Sequence, residues 1–121
     1  MKKTTSLCLR VLLCVVLLLA SAQVASAWVV RGDLSIGQID VWRYIPPASG
    51  WYTFNLYGPS YGDFNLFIYD TWTQKWYSAQ GKTTKERLRI YATKGRRLQI
   101  EVRDIWGSGE YTLSCSAPTP R

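Results

Sequence analysis

The sequence predicts an all-β fold, a sandwich or barrel of short strands, on three observations. Gly62–Asp70 reads GDFNLFIYD: a turn signal opens into Phe64, Leu66 and Ile68 on one side and Asn65, Phe67 and Tyr69 on the other. That period of two belongs to a pleated strand, and apolar residues on both sides suit a central one. Gly, Pro and Asp signals recur about every ten residues, the spacing of short strands in sandwiches and barrels. No segment carries a helical period, and no repeat or low-complexity stretch interrupts the pattern.

The chain begins with a different kind of segment. Met1-Lys2-Lys3 is a short positive end, Leu7–Ala20 is an apolar run broken only near its start by Arg10, and Ala25-Ser26-Ala27 supplies small residues. These are the three parts of a secretory signal, with cleavage expected between Ala27 and Trp28. A membrane anchor fits less well, because the run after Arg10 is shorter than the ~20 apolar residues of a spanning helix. Residues 1–27 are therefore expected to be a signal peptide, residues 28–116 one domain and residues 117–121 a disordered tail. The product is expected to be secreted or periplasmic, with no membrane span once the signal is removed.

The mature chain has 94 residues and a net charge of +4, from twelve basic and eight acidic residues. A chain of this length buries roughly 60–65% of its unfolded surface, enough for one core. Cys8 and Cys14 leave with the signal, so Cys115 is alone and no internal disulfide is available. All six Trp, eight Tyr and three Phe stay. One small core does not need seventeen rings, so some are expected at the surface.

Taken in order, Val29–Ile36 reads as a first strand in which Gly32-Asp33 suggests a bulge. Gln38–Ile45 is the second, stopped by Pro46-Pro47, which cannot donate to a ladder. Trp51–Tyr57 is the third, with Tyr52, Phe54 and Leu56 on one face. Gly62–Asp70 follows the loop Gly58–Gly62, and Thr71–Gln74 has hairpin length before a short strand, Lys75–Ala79. After the polar loop Gln80–Thr84, Glu86–Ala92 points Leu88, Ile90 and Ala92 inward and Arg87, Arg89 and Tyr91 outward. Lys94-Gly95 is a turn. Arg97–Arg103 sets Leu98, Ile100 and Val102 against Arg97, Gln99, Glu101 and Arg103, one dry face and one wet. Asp104–Gly109 reads as a loop, and Glu110–Cys115 as the last strand.

The order Gly-Asp-Leu, Gly-Gln-Ile-Asp-Val-Trp-Arg-Tyr, Gly-Trp-Tyr-Thr-Phe, GDFNLFIYD and Gly-Ser-Gly-Glu-Tyr-Thr-Leu resembles the bacterial pre-peptidase C-terminal domain. That family is related to the collagen-binding modules of secreted collagenases, and the resemblance spans about Val30 to Ser116. It implies an antiparallel β-sandwich of jelly-roll type with about seven to eight strands, and a bacterial source. The family usually has Asp where Asn65 stands, which halves the charge that this position and Asp63 would offer a cation. The family's domains normally ride on an enzyme, and none is expected to accompany this one. The resemblance thus implies a fold and a binding habit without an activity.

Catalysis is poorly supplied. With no histidine, the commonest general base and transition-metal ligand are missing. Cys115 lies on an apolar strand face without a base to activate it, so it reads as a small buried hydrophobe. No enzyme is expected, and no cofactor. Calcium needs six to eight oxygen ligands. Asp63, Asn65 and Asp70 are weak candidates, with Asp33 and Asp40 elsewhere, and capping of loops and strand ends explains these carboxylates better.

Two groups remain as ligand-binding candidates. Lys85, Arg87, Arg89 and Tyr91 share one strand face, and Arg97, Gln99, Glu101 and Arg103 share the next. If the strands pair as a hairpin through Lys94-Gly95, Arg87, Arg89 and Arg103 lie on one basic surface suited to anionic groups. The alternative is an ordinary solvated face. Tyr57, Tyr61, Trp72, Trp76, Tyr77 and Trp106 lie in or beside loops as rings for stacking, and the alternative is that Trp72, Trp76 and Trp106 plug the ends of the sandwich. The expected function is that of a secreted binding module for an extracellular polysaccharide or protein. The alternative is an accessory or inhibitory protein docking on a secreted protease. No nucleic-acid partner is expected.

Overall fold

The computed structural model describes residues 28–116. The signal peptide and the tail expected at residues 1–27 and 117–121 lie outside the described residues.

Eight strands follow one another: β1 (Trp28–Leu34), β2 (Ile39–Tyr44), β3 (Gly50–Tyr57), β4 (Asp63–Asp70), β5 (Lys75–Ala79), β6 (Lys85–Ala92), β7 (Leu98–Trp106) and β8 (Gly109–Ser116). They form two four-stranded sheets, ordered β1-β8-β3-β6 and β2-β7-β4-β5, with every pairing antiparallel. Consecutive strands mostly change sheet, and this order is that of a jelly roll. No helix long and apolar enough to cross a membrane occurs among the described residues.

The alternation read from the sequence sets the two faces of each sheet. Tyr52, Phe54 and Leu56 from β3, Phe64, Leu66 and Ile68 from β4, Leu98, Ile100 and Val102 from β7, and Tyr111, Leu113 and Cys115 from β8 meet between the sheets, all buried. β4 is central, flanked by β7 and β5. Cys115 is a buried free cysteine whose thiol burial pushes up to about 12, so it stays protonated and packs as an apolar group.

A polar tie crosses this core. The Tyr111 hydroxyl on β8 donates to Asp40 Oδ2 at 2.6 Å and accepts from Trp42 Nε1–H at 2.7 Å, both on β2 of the other sheet. Burial, then the bond to Asp40, holds the Tyr111 hydroxyl well above the usual tyrosine range.

Three expectations change. The register of β1 on β8 runs unbroken from Trp28↔Cys115 to Leu34↔Gly109, so Gly32-Asp33 is no bulge. Gly32 lies opposite Tyr111, and a Cβ there would collide with the Tyr111 ring and hydroxyl and with Asp40 Oδ2 at 2.6 Å. The glycine makes room for the tie. Second, Asp104–Trp106 is strand rather than loop: Phe64 pairs with Asp104 and Asp63 with Trp106 across a bulge. Asp104 N–H also bonds Gln38 C=O at 3.0 Å, so pairing on both sides overrides the low strand propensity of Asp.

The third change matters most for function. Lys94-Gly95 does turn the chain, with Gly95 at φ +77° and Arg96 N–H bonded to Thr93 C=O. The strands it joins do not pair: β6 is an edge of one sheet and β7 an inner strand of the other. Gly95 N–H bonds instead to Pro46 C=O at 2.9 Å, which carries the chain across from sheet to sheet. A turn signal fixes local direction, and the sheet a strand joins is decided by its packing. Arg87 and Arg89 therefore lie on the opposite side of the molecule from Arg103, and the expected common basic surface does not form.

Candidate binding surfaces

The outer face of β2-β7-β4-β5 carries a ring cluster. In β4, Phe67 and Tyr69 point away from the core, and β5 sets Trp76 directly opposite Tyr69. The Tyr69 and Trp76 ring centroids are 4.8 Å apart, and Phe67 meets Trp76 edge-on at 6.5 Å. Arg103 on β7 lays its guanidinium 3.8 Å from the Phe67 ring centroid and 5.8 Å from that of Trp76. Glu101 Oε1 accepts from Arg103 Nε–H at 3.0 Å and from Nη2–H at 2.8 Å, and Gln99 Nε2–H donates to Glu101 Oε2 at 3.0 Å. Glu101 is thereby buried at 9% exposure on a face expected to be wet. Its charge is tolerable because Arg103 neutralises it and three side-chain hydrogen bonds satisfy its oxygens. Trp76 remains 50% exposed, and Ile39 and Val41 extend the apolar part of the face across β2.

The outer face of β1-β8-β3-β6 is built differently. Lys85, Arg87, Arg89 and Tyr91 stand along β6, all exposed, opposite Tyr57, Asn55, Thr53 and Trp51 of β3. Arg89 packs over the Trp51 ring at 4.8 Å, and Trp51 meets Tyr91 edge-on at 5.7 Å. On the far edge, Arg31 of β1 lies opposite Thr112 of β8.

The remaining candidates are at the ends or inside. Trp72 occupies the β4–β5 turn, 68% exposed, with Arg96 over its ring at 4.7 Å. Trp106 meets Tyr61 edge-on at 5.0 Å at the opposite end. Tyr77 faces inward and packs against the core. Of the residues singled out in the sequence, the fold brings together Trp76 with Arg103, Tyr61 with Trp106, and Tyr57 with the row Lys85, Arg87, Arg89 and Tyr91.

The carboxylates of the metal candidates serve the loops. Asp70 Oδ1 accepts from the N–H groups of Trp72 and Thr73 at 2.9 and 3.1 Å, an Asx-type bond that closes the hairpin. In the orientation that satisfies both its polar ends, the Asn65 amide donates to Asp63 Oδ1 at 3.1 Å and to Gly81 C=O at 3.2 Å. No group of three or more Cys, Asp or Glu side chains placed to hold a metal occurs among the described residues. Two other acids are perturbed. Glu86, which accepts from Gly81 N–H at 2.6 Å, is raised by burial against the effect of that bond, and further by Asp63. Asp104 is 3% exposed, neither of its oxygens has a partner among the described residues, and burial followed by the charge of Asp63 raises its carboxyl.

Reading the sequence left out Phe67, Tyr69, Trp51 and Arg31 as surface candidates. The signal was present for the first two: a strand with Leu66 and Ile68 in the core must hold Phe67 and Tyr69 outside. Their company required the sheet order.

No protein-family model matches the chain, and none of the curated proteins does. Solved structures do resemble it in fold. The pre-peptidase C-terminal domain of a collagenase from Bacillus anthracis superposes with a TM-score of 0.62 at 16% identity, over 74% of this chain and 88% of that one. A periplasmic inhibitor of g-type lysozyme from Aeromonas hydrophila gives 0.59 at 13% identity, over 76% and 86%. The Yersinia pseudotuberculosis-derived mitogen gives 0.61 at 11% identity, over 80% and 90%. At these identities the likeness is one of fold: this chain has a β-sandwich similar to that of the pre-peptidase C-terminal domain, the lysozyme inhibitor and the mitogen.

Proposed function

We propose that the mature chain is a non-catalytic binding module, secreted or periplasmic, that holds an extracellular polymer, polysaccharide or protein, on the outer face of β2-β7-β4-β5. The observation that carries this reading is the braced ring cluster of Phe67, Tyr69 and Trp76. Arg103 fixes the rings from one side and Glu101 fixes Arg103, so an exposed tryptophan is held in place before any ligand arrives. Preorganised rings on a rigid sheet lose little side-chain freedom on binding, which is how an exposed aromatic surface gains affinity. Lack of catalysis agrees with the absence of histidine and with a buried, protonated Cys115 thiol.

The test is retention of the mature protein on insoluble cellulose, chitin and collagen at low and high salt. Trp76→Ala should abolish retention on whichever matrix holds the parent, at both salt concentrations, because stacking is not screened. Parental retention by Trp76→Ala would overturn the assignment of this face. A second reading, docking on a secreted hydrolase as an accessory or inhibitory protein, draws support from the likeness in fold to the inhibitor of g-type lysozyme. Failure on every polymer, with inhibition of a secreted protease or lysozyme by the parent, would favour it.

A further inference from the structure

The opposite face has a different chemistry. Arg31, Lys85, Arg87 and Arg89 stand on the outer face of β1-β8-β3-β6, and none forms an ion pair among the described residues, where Arg103–Glu101 is the single salt bridge. The acids of this face, Asp33 and Glu110, sit opposite each other at the corner next to Arg31, with which they line one open pocket, and neither stands beside Lys85, Arg87 or Arg89. Along β6 the cations recur at every second residue, roughly 7 Å apart. Across the sheet, Lys85, Tyr57, Thr112 and Arg31 form one continuous rung, which puts Arg31 roughly 14 Å from Lys85 at the spacing of neighbouring strands.

We propose that this face binds an acidic polysaccharide, a chain of sugars bearing carboxylate or sulfate groups. Charge complementarity gives the anion: two planar guanidinium groups and a lysine in a row, with no acid beside them to neutralise, match negative groups repeated along an extended chain. Neutral side chains between the cations give the sugar. Thr53, Asn55, Thr112 and Ser114 cover the middle of the face with hydroxyl and amide groups, the partners that sugar hydroxyls need. Single-stranded nucleic acid is disfavoured because stacking of successive bases needs several free ring faces, and among the described residues of this face only Tyr57 has neither a ring nor a guanidinium against it. The Trp51 ring already carries Arg89, and Trp51 is edge-on to Tyr91. That same contact holds the Arg89 guanidinium in position before binding.

This inference stands apart from the aromatic platform, which is on the other sheet. The experiment measures binding of the mature protein to polygalacturonate and to heparin, with dextran, poly-glutamate and single-stranded oligothymidylate as comparators. The variants are Arg87→Gln/Arg89→Gln, the charge-matched control Arg43→Gln/Lys75→Gln, and Trp76→Ala, each checked for an unchanged melting temperature. The expected result is binding to one or both acidic polysaccharides that weakens with salt and falls about tenfold or more in the Arg87/Arg89 variant. The control and Trp76→Ala should bind as the parent does. A preference for polygalacturonate or for heparin identifies the anionic group as carboxylate or sulfate. The proposal is overturned if the parent binds neither, if the control loses as much as the Arg87/Arg89 variant, or if Trp76→Ala loses acidic binding too. Tighter binding to poly-glutamate or to the oligonucleotide overturns it as well.

Discussion

The tie between the sheets allows a quantitative test. Tyr111→Phe removes one oxygen and leaves the ring, so the packing of a fully buried side chain is kept while two bonds are lost. Asp40 Oδ2 loses its donor and Trp42 Nε1–H loses its acceptor, both in partly buried positions. A polar group left unpaired costs about 1–3 kcal/mol, so two give roughly 2–4 kcal/mol when allowance is made for partial access to water. For a domain of this size that is a fall in melting temperature of roughly 10–30 °C. Urea denaturation of the mature protein at neutral pH measures it directly. Trp42→Phe and the double variant complete a cycle in which the coupling should reach about 0.5 kcal/mol or more. A Tyr111→Phe protein as stable as its parent, or strictly additive single variants, would refute the idea that this hydroxyl joins the two sheets.

Other outcomes follow from the same structure. Leu66→Ala, at a site with no exposure in the middle of β4, should cost roughly 2–5 kcal/mol by chemical denaturation through the cavity it leaves. Asp104 has a folded pKa raised above the unfolded value of 3.8, so the folded state holds its proton longer and stability is lost as pH rises through that range. Asp104→Asn should therefore match the parent below about pH 4 and exceed it at pH 7, and an advantage that does not grow with pH would count against the raised carboxyl. Tyr44, Tyr52, Tyr111 and Cys115 are all raised chiefly by burial, so above about pH 9 the unfolded chain ionises first and alkaline stability should fall steeply. Millimolar calcium should move the melting temperature little. A tight site at a hundredfold excess over Kd would add about 2.7 kcal/mol, and a rise of that kind reversed by chelator would bring Asp63 and Asn65 back as ligands.

Most of the fold was legible because burial in a sandwich follows the period of two. Leu98, Ile100 and Val102 alternate with Gln99, Glu101 and Arg103, and that is enough to say which side of β7 is in the core. Two features defeated such local reading. Gly32 has the composition of a bulge, and its cause is Tyr111, a residue far along the chain whose ring needs the space. Asp104 carries a loop signal, and β4 on one side with Gln38, just before β2, on the other make it part of β7. Both are tertiary effects, which no local pattern contains.

The candidate surfaces were legible residue by residue and illegible as groups. Arg87, Arg89, Arg103 and Trp76 were visible as exposed, but adjacency in the chain suggested uniting the arginines, whereas the jelly-roll order divides them. The division has a consequence for binding. Sheets in a sandwich pack about 10 Å apart, so ligands on the two outer faces do not touch and their contributions should add. In a protein that holds both a neutral and an acidic polymer, the loss in Trp76→Ala/Arg87→Gln/Arg89→Gln should equal the sum of the losses in its parents. Each polymer should also bind undiminished in the presence of the other. Competition between them would mean that a single face takes both, and the separation argued from the strand order would fail.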